Sequence, residues 1–259
     1  MEYTDILFET VDGVAWLTIN RPEKGNLFRP QTIRELTDAF QRVREDAGQR
    51  VAVLTGAGDK FFCIGGEHDE HDPRLHYGTT MPVMDLYDLI DKHPKPIIAM
   101  VNGFAVGGGN VTALMCDFTI ASERAVFRQV GPAMGSFDAG FGTWFLEAAV
   151  GRKRAKEIWM LNRKISAQDA LAMGLINEVV PHEQLRSRVE SWCSELKKRG
   201  PIALAALKAA FHARHAGVEG LARVAHDMLI PFYYHSQESQ ELFRAFNAKE
   251  DPDPEKFYH

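Results

Sequence analysis

Strand-like runs of apolar and polar positions lie on either side of Asp12-Gly13, at Ile6–Glu9 and Val14–Asn20, and the dipeptide is a strong turn signal between them. The chain is therefore expected to open with a β-hairpin. Pro30 starts a helix running to about Arg44, with Ile33, Leu36, Phe40 and Val43 at helical spacing. Val51–Thr55 then reads as a strand, Pro82–Lys92 as a helix, Pro96–Val101 as a strand, Asn110–Cys116 as a helix and Phe118–Ala121 as a further strand. After about Gly140 the pattern turns almost wholly helical, with Ser166-Ala167-Gln168-Asp169 as a capping box and long amphipathic stretches at Glu183–Lys198 and Pro201–His215. Strands and helices in alternation, then helices alone, predict an α/β core over residues 1–200 and a helical C-terminal region over residues 201–259. The pattern holds no internal repeat or low-complexity segment.

With 259 residues, 45% of them hydrophobic, the chain can bury a full core as one large domain or one domain with an appendage. Its 30 basic and 35 acidic residues are intermixed and give a net charge of -5, which argues against a nucleic-acid partner. No apolar stretch approaches the roughly 18 residues of a membrane span, and Met-Glu-Tyr-Thr-Asp at the start lacks a secretory pattern. No membrane association is expected, and the cytoplasm is the expected location. Cys63, Cys116 and Cys193 are odd in number and lack metal-ligand spacing, so they are expected as reduced, buried thiols.

Two glycine turns carry the candidate chemistry. Ile97–Asn110 ends a buried strand in Gly107-Gly108-Gly109, which open an apolar helix; free N–H donors and the helix dipole favour negative charge there. Taken alone, the triplet reads more readily as a tight turn that needs close strand-to-helix packing. A second turn, Phe61-Phe62-Cys63-Ile64-Gly65-Gly66-Glu67, follows the apolar run Val51–Leu54. Neither fits G-x-G-x-x-G, and neither has the Lys-Ser or Lys-Thr of a phosphate loop. Two such turns, about forty residues apart, can instead give one N–H each to a single developing oxyanion.

The ordered set Asn20-Arg21-Pro22 with Asn26, Phe62-Cys63-Ile64-Gly65-Gly66, Lys95-Pro96-Ile97-Ile98-Ala99, Asn102-Gly103-Phe104-Ala105-Val106-Gly107-Gly108-Gly109, Cys116-Asp117 and Ala170–Val180 resembles the crotonase (enoyl-CoA hydratase/isomerase) superfamily from end to end. The resemblance implies a ClpP-like α/β spiral of ββα units with a C-terminal helical trimerisation region. It also implies an acyl-CoA substrate and a homo-trimer or dimer of trimers (a hexamer). Gly66 and Gly108 match the backbone oxyanion hole, and Lys24, Cys63, Ile64 and Gly131 are carried over as substrate or CoA contacts.

The reaction turns on what is missing. The two glutamates that activate water in the hydratase branch correspond here to Val111 and Gly131, neither an acid nor a base. Gln129–Gly142 instead resembles the branch of 2-ketocyclohexanecarboxyl-CoA hydrolase and 1,4-dihydroxy-2-naphthoyl-CoA synthase, with Ser136 and Asp138 at that branch's polar pair and Tyr234 at its C-terminal tyrosine. On local grounds alone, Ser-x-Asp also reads as a turn or helix-cap device, and Tyr234 as aromatic packing with Tyr233 as its substitute. Glu67-His68-Asp69-Glu70-His71-Asp72, Asn110 and Ala133 depart from the synthase, and Phe141 replaces the tyrosine usual in both. The expected reaction is hydrolytic cleavage of a ring carbon–carbon bond in a cyclic β-keto-CoA thioester. The alternatives are the reverse, ring-closing reaction and a catalytically silent CoA-binding protein. No cofactor is expected beyond the CoA substrate, except a bicarbonate that the resemblance allows beside Gly131.

His68, Asp69, His71 and Asp72 suggest metal ligands by type, but they fall where the resemblance implies a loop over the substrate, so no metal is expected. Tyr77 in the same loop reads as a surface aromatic or a residue folding over the substrate.

Overall fold

The opening hairpin forms with β1 (Ile6–Val11) and β2 (Val14–Ile19) paired antiparallel from Ile6↔Ile19 to Val11↔Val14. Asp12 and Gly13 both take positive φ, 49° and 73°, as a two-residue turn matched to strand twist requires. In this computed structural model, which describes residues 2–67, 81–253, 255 and 257, α1 (Pro30–Glu45) follows and buries Ile33, Leu36, Phe40 and Val43.

From Val51 the chain repeats one unit three times: a strand for a large sheet, a short strand for a small sheet, then a helix. The units are β3 (Val51–Gly56), β4 (Phe61–Cys63) and α2 (Pro82–Asp91); β5 (Ile97–Val101), β6 (Phe104–Val106) and α3 (Gly108–Met115); β7 (Phe118–Ser122), β8 (Val126–Arg128) and α4 (Phe141–Val150). The chain continues through α5 (Arg152–Leu161), β9 (Ile165–Ser166), α6 (Ala167–Ala172), β10 (Glu178–Val180) and α7 (Leu185–Lys197). It ends in α8 (Pro201–Ala213), α9 (Ala216–Arg223), a π-helical segment Val224–Leu229, α10 (Ile230–Tyr234) and α11 (Gln237–Ala248).

The result is a ββα spiral. The large sheet runs β1-β2-β3-β5-β7-β10, parallel except for the hairpin; the small one runs β4-β6-β8-β9, with only β9 antiparallel. Phe40, Leu54, Phe62 and Ile97 fill one face of the large sheet, and Trp16, Val53 and Ile98 pack under Val189 and Cys193 of α7 on the other. Burial on both faces explains the unbroken apolar runs of β3 and β5.

Three features differ from the expected pattern. The small sheet was not foreseen, because its strands of two or three residues are shorter than a period-2 signal needs. Beyond Gly140 the chain is not all helix, since β9 and β10 return one strand to each sheet. And α3 begins at Gly108 rather than Asn110, so the glycines themselves form its first turn. At α6 the expected cap is present: Asp169 N–H donates to Ser166 Oγ at 3.1 Å. His68, Asp69, His71, Asp72 and Tyr77 lie outside the described residues.

Candidate active site

The sequence Asn20-Arg21-Pro22…Asn26 builds the frame of the first glycine turn. Asn26, at φ 54°, accepts from Arg21 N–H and donates to the carbonyls of Ala57 and Phe61, fixing the strand end that leads to Cys63. Arg21 reaches over to Leu27 O and holds Glu67 at 2.8 Å, so the first acid after the glycines is already engaged. Phe28 N–H donates to Gly65 O and Glu67 N–H to Phe28 O, at 2.9 and 2.8 Å. In such a parallel bridge the middle residue's own N–H points away from its partner. Gly66 N–H is therefore directed to the opposite side, toward a cavity of about 510 Å³ that Gly66 lines.

Gly108 lines the same cavity as the first residue of α3, where no helical carbonyl is available to its N–H. The turns are in contact: a Cβ on Gly65 would sit 3.3 Å from Gly108 N. Among the described residues no hydrogen bond takes up the N–H of Gly66 or of Gly108. A Cβ at Gly108 would meet Phe28 Cζ at 2.6 Å, so any side chain there must push the Phe28 ring aside. Two unengaged amides, one of them carrying the positive end of a helix, make a site for a negative oxygen.

The facing wall comes from the segment after β8 and from the C-terminal helices. Ser136, Asp138 and Tyr234 all line the cavity, as do Ile64, Val111 and Gly131. Ser136 Oγ and the Tyr234 hydroxyl are 3.2 Å apart, and burial raises the phenol's pKa, against which the Ser136 bond works. Asp138 also does what local chemistry suggested: its Oδ1 accepts the N–H groups of Gly140 and Gly142 at 3.1 and 2.9 Å, capping α4. Its Oδ2 faces His226 Nε2 at 3.8 Å. Burial raises the Asp138 carboxyl's pKa, and His226 and the two amides pull it back only in part. Such a carboxyl accepts a proton more readily than an exposed one.

Two expected contacts, Cys63 and Lys24, are placed away from the cavity. Cys63 is wholly buried beneath its turn, where its sulfur accepts Gly65 N–H at 3.4 Å and burial pushes its thiol up to about 12, so its side chain does not reach the cavity. Lys24 points outward, 4.0 Å from Glu67. Gly131 lines the cavity but leaves no room along its Cβ direction, where the Ser136 carbonyl oxygen stands 3.0 Å away. Tyr233 turns from the site to bond Glu238 at 2.7 Å, so of the two adjacent tyrosines it is Tyr234 that lines the cavity.

Two residues were not foreseen. Gln129 is fully buried on the cavity wall, and neither end of its carboxamide has a partner in the described chain. His226, 5% exposed, lines the cavity from the π-helical segment. Neither belongs to a spacing motif of its own, and only the fold brings His226 to Asp138.

The enoyl-CoA hydratase/isomerase family profile matches residues 9–256. Among similar solved structures, an enoyl-CoA hydratase from Mycobacterium avium subsp. paratuberculosis K-10 is 27% identical over 97% of this chain and 99% of that one, with a TM-score of 0.85. An enoyl-CoA hydratase/isomerase from Pseudoalteromonas atlantica T6c is 25% identical over 96% and 99%, with a TM-score of 0.88. A methylmalonyl-CoA decarboxylase is 26% identical over 98% of each chain, with a TM-score of 0.83. On the profile match and the shared fold, the chain belongs to the enoyl-CoA hydratase/isomerase (crotonase) family of enzymes acting on CoA thioesters.

Proposed function

We propose that this enzyme opens a cyclic β-keto-CoA thioester by hydrolysis, in the manner of a 2-ketocyclohexanecarboxyl-CoA hydrolase. The observation that carries the reading is the pairing of two open amides, at Gly66 and Gly108, with a proton-handling wall in a cavity whose hydratase positions, Val111 and Gly131, hold no acid or base. Water adds to the ring ketone, the bond to the α-carbon breaks, and its electron pair becomes an enolate whose oxygen rests on the two amides. Asp138 and Ser136 hold the water or move its proton, and Tyr234 faces the α-carbon as proton donor. The apolar remainder of the wall, including Phe28, Ile64, Met84 and Val111, suits a carbocyclic ring.

A bicarbonate beside Gly131 would have to sit off the Cβ direction, which the Ser136 carbonyl fills, and in that place it would supply a base where the hydratases have a carboxylate. Apolar side chains exposed on α8 and α10, Ile202 at 85%, Phe211 at 67% and Phe232 at 78%, support an assembly of three copies or a dimer of trimers. No helix among the described residues is long and apolar enough to cross a membrane, and the buried free thiols Cys63, Cys116 and Cys193 suit the cytoplasm we assign.

The experiment is turnover of 2-ketocyclohexanecarboxyl-CoA beside crotonyl-CoA, with and without bicarbonate. Ring opening with the thioester intact and negligible crotonyl-CoA hydration are expected. Ordinary hydratase turnover would overturn the reading, as would loss of carbon dioxide from a β-carboxy thioester in preference to ring opening, since a decarboxylase also leaves an enolate on such amides. A bicarbonate requirement would favour the ring-closing chemistry of the naphthoyl-CoA synthases.

A further inference from the structure

His226 stands in a six-residue π-helical segment, Val224–Leu229, between α9 and α10, a local widening of the helix that often marks functional positions. Its Nδ1 lies 3.0 Å from the carbonyl of Ala222, and a carbonyl only accepts, so Nδ1 carries the hydrogen. In the neutral ring Nε2 is therefore a bare acceptor. That nitrogen faces Asp138 Oδ2 at 3.8 Å, both groups line the cavity, and the imidazole is 5% exposed. With one proton between them, a shift of about 1 Å would bring the two acceptors to hydrogen-bond distance.

The surroundings leave the two groups to each other. On the imidazole's own segment Arg223 and Asp227 are engaged elsewhere: Arg223 with Asp85 of α2 and with Asp227 at 3.8 Å, and Asp227 with Met81 N–H at 2.8 Å. From α10 the titratable group on the cavity is Tyr234, which bonds Ser136. On the α4 side Asp138 receives the Gly140 and Gly142 amides, and a Cβ at Gly142 would lie 2.6 Å from Oδ2, so the carboxyl is confined on that flank. Among the described residues, Asp138 is the carboxylate within 4 Å of the ring.

We propose that His226 is a catalytic residue, acting with Asp138 as a single proton-carrying pair. The proposal rests on the ring-opening reading and assigns the base in it. As the water oxygen bonds to the ring-ketone carbon, its O–H bond breaks and the proton passes to the pair, where it is held between His226 Nε2 and Asp138 Oδ2. The ring bond then breaks, its electrons forming the thioester enolate, and the proton returns to the α-carbon by way of the Tyr234 hydroxyl. Atoms balance as the addition of one water, with the new carboxylic acid ionising to solvent.

The test is the pH dependence of kcat and KM for ring opening in His226→Gln. The expected result is an unchanged thermal melt, KM within about threefold and kcat lower by about 10², with the acid limb of kcat/KM lost. Added imidazole should restore His226→Ala in proportion to its unprotonated fraction, which decides the matter if the Gln variant does not fold. An unchanged kcat with the limb intact would overturn the proposal, as would an Ala variant that imidazole leaves inactive. If the wild-type protein opens no ring, the ring-opening reading fails by itself. The pair is then tested by exchange of the α-proton of cyclohexanecarboxyl-CoA in deuterated water. Slowing of about 10² in His226→Gln sustains it; equal exchange, or none by the wild type, overturns it.

Discussion

At the scale of single residues, Asp138 combines two functions that its sequence context presented as alternatives. One oxygen caps α4 through Gly140 and Gly142, while the other faces His226 inside the cavity. Capping fixes the carboxyl's position, and burial gives it proton affinity. Asp138→Asn retains an oxygen able to cap but removes the charge, so stability should change by less than about 1 kcal/mol while kcat falls by roughly 10²–10⁴ at nearly constant KM. Paired melts and steady-state kinetics check this; a raised KM at constant kcat would make Asp138 a binding group instead. The site residues legible in the sequence, Gly66, Gly108, Ser136, Asp138 and Tyr234, sit in runs where neighbouring positions also carry a pattern. Cys63 sits in such a run too, yet its side chain packs inward to hold the Gly65 amide, because a strand end alternates faces and spacing does not say which face is up. His226 gave no local signal, since its partner lies nearly ninety residues earlier in the chain.

At the scale of elements, the proposed oxyanion hole joins the turn after β4 to the start of α3, and Phe28 couples them. Its main chain bridges the Gly65–Glu67 segment, and its ring lies where a Cβ on Gly108 would go. Gly108→Ala should therefore displace Phe28 and disturb both amides at once. The expected loss is about 10²–10³ in kcat, with the fold kept and part of the rate recovered in Gly108→Ala combined with Phe28→Leu. Full activity in the single variant, measured at saturating thioester, would show that these amides hold no transition-state charge. The long elements were readable because burial imposes a period over ten or more residues, as on α1. The small sheet that carries Val106 to the cavity was not, since strands of two or three residues have no period to detect.

At the scale of the whole molecule, one buried imidazole couples the fold to pH. His93 is held between Lys95 N–H and the Phe40 carbonyl, and burial, with Lys208 and Lys95 nearby, lowers its pKa from 6.5 to about 4. Because the folded value lies below the unfolded one, the stability it confers is complete above about pH 6.5 and is lost as the pH falls toward 4. A difference of that size corresponds to roughly 3 kcal/mol. Urea midpoints should decline across this window in the wild type and decline less in His93→Gln; equal slopes would remove His93 from the account. On the same scale, the helices after Pro201 close the cavity by bringing Tyr234 and His226 over Ser136 and Asp138, so the site exists only in the completed fold. The central claim is that water cleaves a ring bond while the thioester survives. It is tested most directly by mass spectrometry of the product formed from 2-ketocyclohexanecarboxyl-CoA in heavy-oxygen water. The account predicts an open-chain dicarboxylic mono-CoA thioester with one heavy oxygen in the new carboxyl group and no free CoA. Free CoA thiol, or an unopened ring under conditions where crotonyl-CoA is hydrated, would contradict it.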